Sequence, residues 1–128
     1  MKRLLVYISS AFGGKDENVK LAYKYMRHAS VYMGASVYAS HVLYPAFCND
    51  FVPEERKLGM QMGLDFLEVC DEYWAYFPGA EQVWSKGMIE EREYAIQHGK
   101  PIKMFFHGDS DSTSGPYFFV GSDGVGCK

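Results

Sequence analysis

The sequence predicts an α/β sandwich: a parallel sheet of four to five strands with helices on both faces. Two observations carry this. Apolar runs rich in β-formers recur at residues 4–8, 35–43, 72–77 and 102–106. Each is separated from the next by a segment with the 3.6-residue period and the end signals of a helix. Alternation of this kind closes into a parallel sheet through right-handed crossovers.

Residues 4–8 (LLVYI) form a continuous apolar run, as expected of a strand buried on both faces. The small-residue loop 9–14 (SSAFGG) follows, and Asp16 and Asn18 offer N-caps to a first helix. Val19, Ala22, Tyr23, Met26, Ala29, Ser30 and Met33 make its apolar stripe, and Gly34 closes it. Residues 35–43 (ASVYASHVL) alternate loosely and read as the second strand. Pro53 suits a first helical position, with Glu54 and Glu55 near the positive end of the helix dipole. Leu58, Met62, Phe66 and Val69 mark the expected buried face of that second helix. Residues 72–77 (EYWAYF) are the third strand. Ser85 caps a third helix, and Gly99-Lys100-Pro101 stops it before the fourth strand at 102–106. From His107 the composition shifts to Gly, Ser and Asp, with only 117–120 apolar, so 107–128 is expected to be an edge strand or an arm reaching a neighbouring subunit.

With 128 residues, 48% of them apolar, the chain suits one domain spanning 1–128. Two domains of about 60 residues each would be marginal. The net charge is −3, and no basic stripe is present to neutralise a phosphate backbone, which disfavours a nucleic-acid polymer as partner. Cys48, Cys70 and Cys127 are odd in number and widely spaced, as expected of reduced thiols in a cytoplasmic protein. The apolar run before Ser9 is too short for a signal peptide or a membrane span. The histidines and cysteines lack metal-ligand spacing, and neither GxGxxG nor GxxxxGK[ST] occurs, so no metal and no cofactor is expected. The ten Tyr and nine Phe suit a pocket, a subunit interface or simply the core.

Ligands of open parallel sheets bind outside the carboxyl ends of the strands, where loops 9–14, 44–53 and 78–87 should meet. Loop 9–14 leads into a helix N-terminus, and reads equally as an anion-binding loop or as a tight turn. Glu91 lies in the opening turns of the third helix, a position that the helix dipole alone would favour.

The order of residues around Glu91 adds more. Ser85-x-Gly87-Met88-x-x-Glu91-x-x-x-Ala95-x-x-x-Gly99-Lys100-Pro101 resembles the signature of the nucleoside 2-deoxyribosyltransferase-like superfamily. Tyr7-Ile8-Ser9-Ser10-Ala11-Phe12 is similar to its first strand and sugar/phosphate loop, and Cys70-Asp71-Glu72-Tyr73-Trp74 to the junction before its catalytic loop. The resemblance spans roughly residues 4–106. Residues Ser40-His41, Tyr44-Pro45, Pro53-Glu54-Glu55-Arg56 and Gly59 are similar to an uncharacterised, often phage-encoded branch.

The resemblance implies a flavodoxin-like or Rossmann-like fold, a small-molecule nucleoside or nucleotide partner, and a homo-oligomer. It implies that Glu91 attacks the anomeric carbon to form a glycosyl ester that a second base or water resolves, as in retaining glycoside hydrolysis. Such a nucleophile should stay ionised. Asp71 is the second candidate catalytic residue, although its junction position suits orienting backbone. Candidate binding residues are Tyr7, Ser9, Ser10, Phe12, Gly13, His41, Asn49, Ser85, Gly87 and Met88. Asn49 and Asp50 serve equally as turn formers. Trp84 is read as a base-stacking ring or a subunit contact, and Glu81 as an acid or a solvated residue. Where the transferases carry an Asp that assists the base, this chain has Gly63, with Asp65 on a different helical face. The activity classes left open are therefore base transfer, hydrolysis, non-catalytic binding or sequestration of a small nucleotide, and a structural subunit.

Overall fold

A computed structural model describes residues 3–12, 15–79, 81–107 and 118–122. Its strands are β1 (Leu5–Ser9), β2 (Ser36–Tyr38), β3 (Glu72–Phe77), β4 (Ile102–His107) and β5 (Phe118–Ser122). Its helices are α1 (Asp16–Arg27), α2 (Ser40–Leu43), α3 (Pro53–Val69) and α4 (Lys86–Gln97). The sheet order is β2-β1-β3-β4-β5, with β1 to β4 parallel.

β1, β3 and β4 are buried on both faces, which is why their sequences run apolar without interruption. Alternate residues divide between two cores. Tyr7, Tyr73, Ala75, Phe77, Met104 and Phe106 lie with Leu67 of α3 and Met88 and Ala95 of α4. Val6, Ile8, Trp74, Tyr76 and Phe105 lie with Tyr25 and Ala29 from the α1 side. The chain order reverses between β1 and β3, and a crevice at their carboxyl ends is the expected ligand site of such a sheet.

The fold class matches the sequence prediction, with four local corrections. β5 pairs with β4 in antiparallel sense. The intervening stretch 108–117 is shorter than the dozen or so residues that a parallel crossover needs. β2 ends at Tyr38, and Ser40–Leu43 turns into α2, because Ser40 and His41 are held by hydrogen bonds to Tyr7 and Ser10 of the neighbouring strand and loop.

α1 begins after Lys15, which makes no side-chain cap. Asn18 Nδ2 instead donates to the Phe12 carbonyl at 2.8 Å. The helix buries Ala22 and Tyr25 and leaves Tyr23 exposed. It ends in a π-helical turn, His28–Tyr32, before Gly34 at φ +80°.

α3 is turned away from its expected face. Gly63 and Leu67 are buried, whereas Leu58, Phe66 and Val69 are exposed. Gly63 lets this helix lie close, since a β-carbon there would crowd Tyr7 and Ser40, whereas one on Gly59 would make only ordinary contact with Tyr44.

Candidate functional site

The three predicted loops do converge. A cleft of about 590 Å³ lies at the carboxyl ends of the strands, a volume typical of small-molecule sites. Ser10 and Phe12 line it from the first loop, Tyr44, Pro45, Cys48 and Asp50 from the second, and Ser85, Lys86 and Gly87 from the third. α2 adds Ser40 and His41, and α3 adds Glu55, Arg56, Gly59, Met60 and Leu64. Met88, Glu90 and Glu91 of α4 also line the cleft.

Glu91 is brought there by a local device. The Ser85 hydroxyl accepts from the Met88 amide at 3.2 Å, capping α4, so the helix starts at the mouth of the sheet. Its carboxylate then reaches the end of β1. The Ser9 hydroxyl donates to Oε1 at 2.7 Å and the Tyr7 hydroxyl to Oε2 at 2.7 Å. Since the phenol proton of Tyr7 goes to Glu91, Ser40 Oγ must donate to the Tyr7 oxygen, 2.8 Å away. Likewise Ser9 accepts from Tyr73 at 2.9 Å, and Tyr73 shares its single proton with the Met88 carbonyl at 3.1 Å. Four hydroxyls therefore form two relays that end on the two oxygens of one carboxylate.

Donors favour the anion and burial opposes it. Burial dominates: the Glu91 carboxyl is pushed up to about 7, with the Ser9 and Tyr7 hydrogen bonds pulling it down and the neighbouring Glu90 charge pushing it up. The sequence expectation of a simply ionised carboxylate is corrected accordingly. Tyr7 is raised well above the usual phenol range by burial and by the Glu91 charge, so it remains a donor.

His41 Nε2 lies 2.7 Å from Ser10 Oγ, and burial lowers its imidazole to about 4, so it is neutral at pH 7. Arg56 and Lys86 are the cations of the cleft, and Arg56 Nε stands 3.9 Å from Asp50 Oδ1.

Several predicted residues take other positions. Asp71 lies at the amino end of β3, where its Oδ2 accepts from the Leu5 amide at 2.8 Å, at the opposite end of the sheet from Glu91. It orients backbone and has no access to the cleft. Asn49 builds a turn, accepting from the Phe51 amide at 2.9 Å. Ser9 and Tyr7 are fully buried and hold Glu91 from beneath, so neither faces a ligand directly. Trp84 packs edge-on against Phe77 and under the Arg92 guanidinium, away from the cleft lining. Glu81 is exposed, and Asp65 accepts from Gln61 at 3.3 Å on the outside of α3. Gly13 lies outside the described residues. Ser40 and Tyr73 were missed because each sits in an unremarkable strand-like run, and only the fold shows that their hydroxyls feed Glu91.

A family described as a domain of unknown function (DUF7768) matches residues 4–105. No curated protein matches the chain. Among solved structures, the 2-deoxyribosyltransferase of the psychrotolerant bacterium Bacillus psychrosaccharolyticus is similar, with 16% identity and a TM-score of 0.60 over 86% of this chain and 77% of that one. The 2-desoxiribosyltransferase of Leishmania mexicana is 16% identical with a TM-score of 0.55, over 82% of this chain and 65% of its own. At these identities the likeness is one of fold.

Proposed function

The chain belongs to the DUF7768 family, and from its 2-deoxyribosyltransferase-like fold and the geometry of its cleft we propose that it cleaves the N-glycosidic bond of a nucleoside or nucleotide. The observation that carries this reading is the Glu91 carboxylate, held at both oxygens by the buried Tyr7 and Ser9 hydroxyls on the wall of a nucleoside-sized cleft.

In the first step one Glu91 oxygen forms a bond to the anomeric carbon as the carbon–nitrogen bond breaks. The base leaves with the bonding electron pair and takes up a proton from water in the cleft. In the second step water or another base attacks the same carbon and releases the carboxylate, as in retaining glycosidases. The attacking water, or the N–H of an attacking base, gives up one proton to solvent, which balances the proton taken up by the departing base. Tyr7 and Ser9 keep the nucleophile in one rotamer, which lowers the entropic cost of attack. Only the ionised carboxylate is competent, so the reaction accelerates as pH rises through about 7. The partner on this reading is a small molecule.

One observation favours a second reading. Gly63 occupies the position where the transferases are expected to carry their base-assisting acid, and Asp65 faces outward. A cleft without that acid would suit binding or sequestering a small nucleotide.

Incubation with a panel of nucleosides and their 5′-monophosphates, followed by chromatography for free base, separates the two. Catalysis predicts base release by the wild-type protein and a loss of about 10³-fold or more in Glu91→Gln. Intact ligand recovered from a tight complex supports sequestration, and undiminished activity in Glu91→Gln excludes Glu91 as nucleophile.

A further inference from the structure

We propose that the cleft takes nucleosides whose base carries a fixed positive charge, such as a ring-alkylated purine, an inference that rests on the N-glycosidase reading and names its substrate class. The first observation is the charge of the walls. Asp50, Glu55, Glu90 and Glu91 line the cleft together with Arg56 and Lys86, four acidic side chains to two basic ones. Arg56 is offset further by Asp50, whose Oδ1 stands 3.9 Å from its Nε. His41 adds no charge at pH 7, since burial lowers it to about 4. A cleft lined by one sign of charge concentrates ligands of the opposite sign.

The second observation is aromatic. Phe12 and Tyr44 reach the same cleft from two different loops. Tyr44 is only 6% exposed, its hydroxyl accepts from Tyr38, and Phe47 meets its ring edge-on at 5.7 Å. The ring is therefore held in place before a ligand arrives. Aromatic rings attract organic cations through their quadrupole, and a ring-alkylated base is a flat cation of that kind. Met60 and Met88 add polarisable sulfur to the same lining.

The third observation concerns the proton. A neutral base must draw one from water as it departs, because residue 63 is glycine, Asp65 lies on the outside of α3 and His41 is neutral. A base with a fixed positive charge needs none. One Glu91 oxygen forms the bond to the anomeric carbon as the carbon–nitrogen bond breaks. The electron pair of that bond moves onto the ring nitrogen and cancels its charge, so the base departs as a neutral molecule. Water then adds to the anomeric carbon, releases the Glu91 carboxylate and gives one proton to solvent.

Calorimetric titration of the Glu91→Gln protein at pH 6 tests the recognition. The probes are 7-methylguanosine, its uncharged isostere 7-methyl-7-deazaguanosine, and their 2′-deoxy forms. The cation should bind at least about 10-fold more tightly than the isostere, with an advantage that shrinks as salt is raised. Asp50→Asn and Glu55→Gln, each added to Glu91→Gln, should cut that ratio at least about 3-fold. Equal affinities, tighter binding of the isostere, or a ratio indifferent to both carboxylates overturns the inference. The wild-type protein is assayed in parallel for free base. Release of 7-methylguanine above the spontaneous rate, together with the binding preference, supports the assignment. Base released from neutral nucleosides without that preference overturns the inference and leaves the N-glycosidase reading standing. A cation that binds tightly yet is recovered intact overturns the substrate assignment together with that reading.

Discussion

A β-carbon placed on Gly63 would stand 3.0 Å from the Tyr7 hydroxyl and 3.2 Å from both Cβ and Oγ of Ser40. α3 thus touches the very hydroxyls that support Glu91. Tyr7 has little room to move, because its ring lies between Tyr38 and Tyr73. Gly63→Ala gains up to about 1 kcal/mol of helix propensity. Displacing this buried phenol should cost about 1–3 kcal/mol, the usual penalty for overpacking. The expected outcome is a lower midpoint in thermal unfolding, together with weaker ligand binding or turnover.

Removing the phenol oxygen tests the support of the carboxylate more gently. Tyr7→Phe keeps the ring packing but takes one donor from Glu91 and leaves Ser40 without this acceptor. A stability loss of about 1 kcal/mol is expected. The Glu91 carboxyl should titrate above its wild-type value of about 7, since a bond favouring the anion is gone. Carboxyl-resolved NMR titration of the two proteins reads this directly.

Stability against pH follows from the same group. The Glu91 carboxyl sits near 4.5 when solvated and is raised to about 7 in the fold, so the folded state holds its proton longer. The stability attached to that proton is complete below about 4.5 and is lost as pH climbs through about 7, at about 1.4 kcal/mol per unit. Glu91→Gln, which cannot ionise, should therefore gain stability relative to wild type on going from pH 5 to pH 8. Parallel melts at the two values check the sign, and His41, common to both proteins, cancels from the comparison.

Asp71 gives the contrasting case. Its carboxylate accepts from the Leu5 amide at the far end of the sheet. Asp71→Ala should lower the unfolding free energy by about 1–2 kcal/mol while ligand affinity in the cleft stays at the wild-type value. Calorimetric titration alongside denaturant unfolding separates these effects.

The parallel strands, the Ser85 cap and the loops that build the cleft were legible because each rests on a local signal: an apolar run, a capping residue or a Gly-Pro stop. What stayed hidden was tertiary in origin. α3 carries two adjoining stripes at helical spacing, and periodicity cannot tell whether Gly59–Gly63–Leu67 or Leu58–Met62–Phe66 faces the core. The decisive feature is how closely glycine lets the helix approach Tyr7. The turn of Ser40–Leu43 into α2 is set by hydrogen bonds to Tyr7 and Ser10, which override the loose strand alternation. Asp71 was readable in principle, since a residue that precedes a parallel strand lies at its amino end, away from the ligand edge.

The direct test of Glu91 as nucleophile is peptide mass mapping after incubation with 2-deoxy-2-fluoro nucleosides, whose electron-poor sugar slows breakdown of a glycosyl ester. A glycosyl ester on Glu91 requires a fluoropentosyl adduct on the peptide that carries it, absent from Glu91→Gln. Turnover of nucleosides with no adduct there, or an adduct on another side chain, would contradict it.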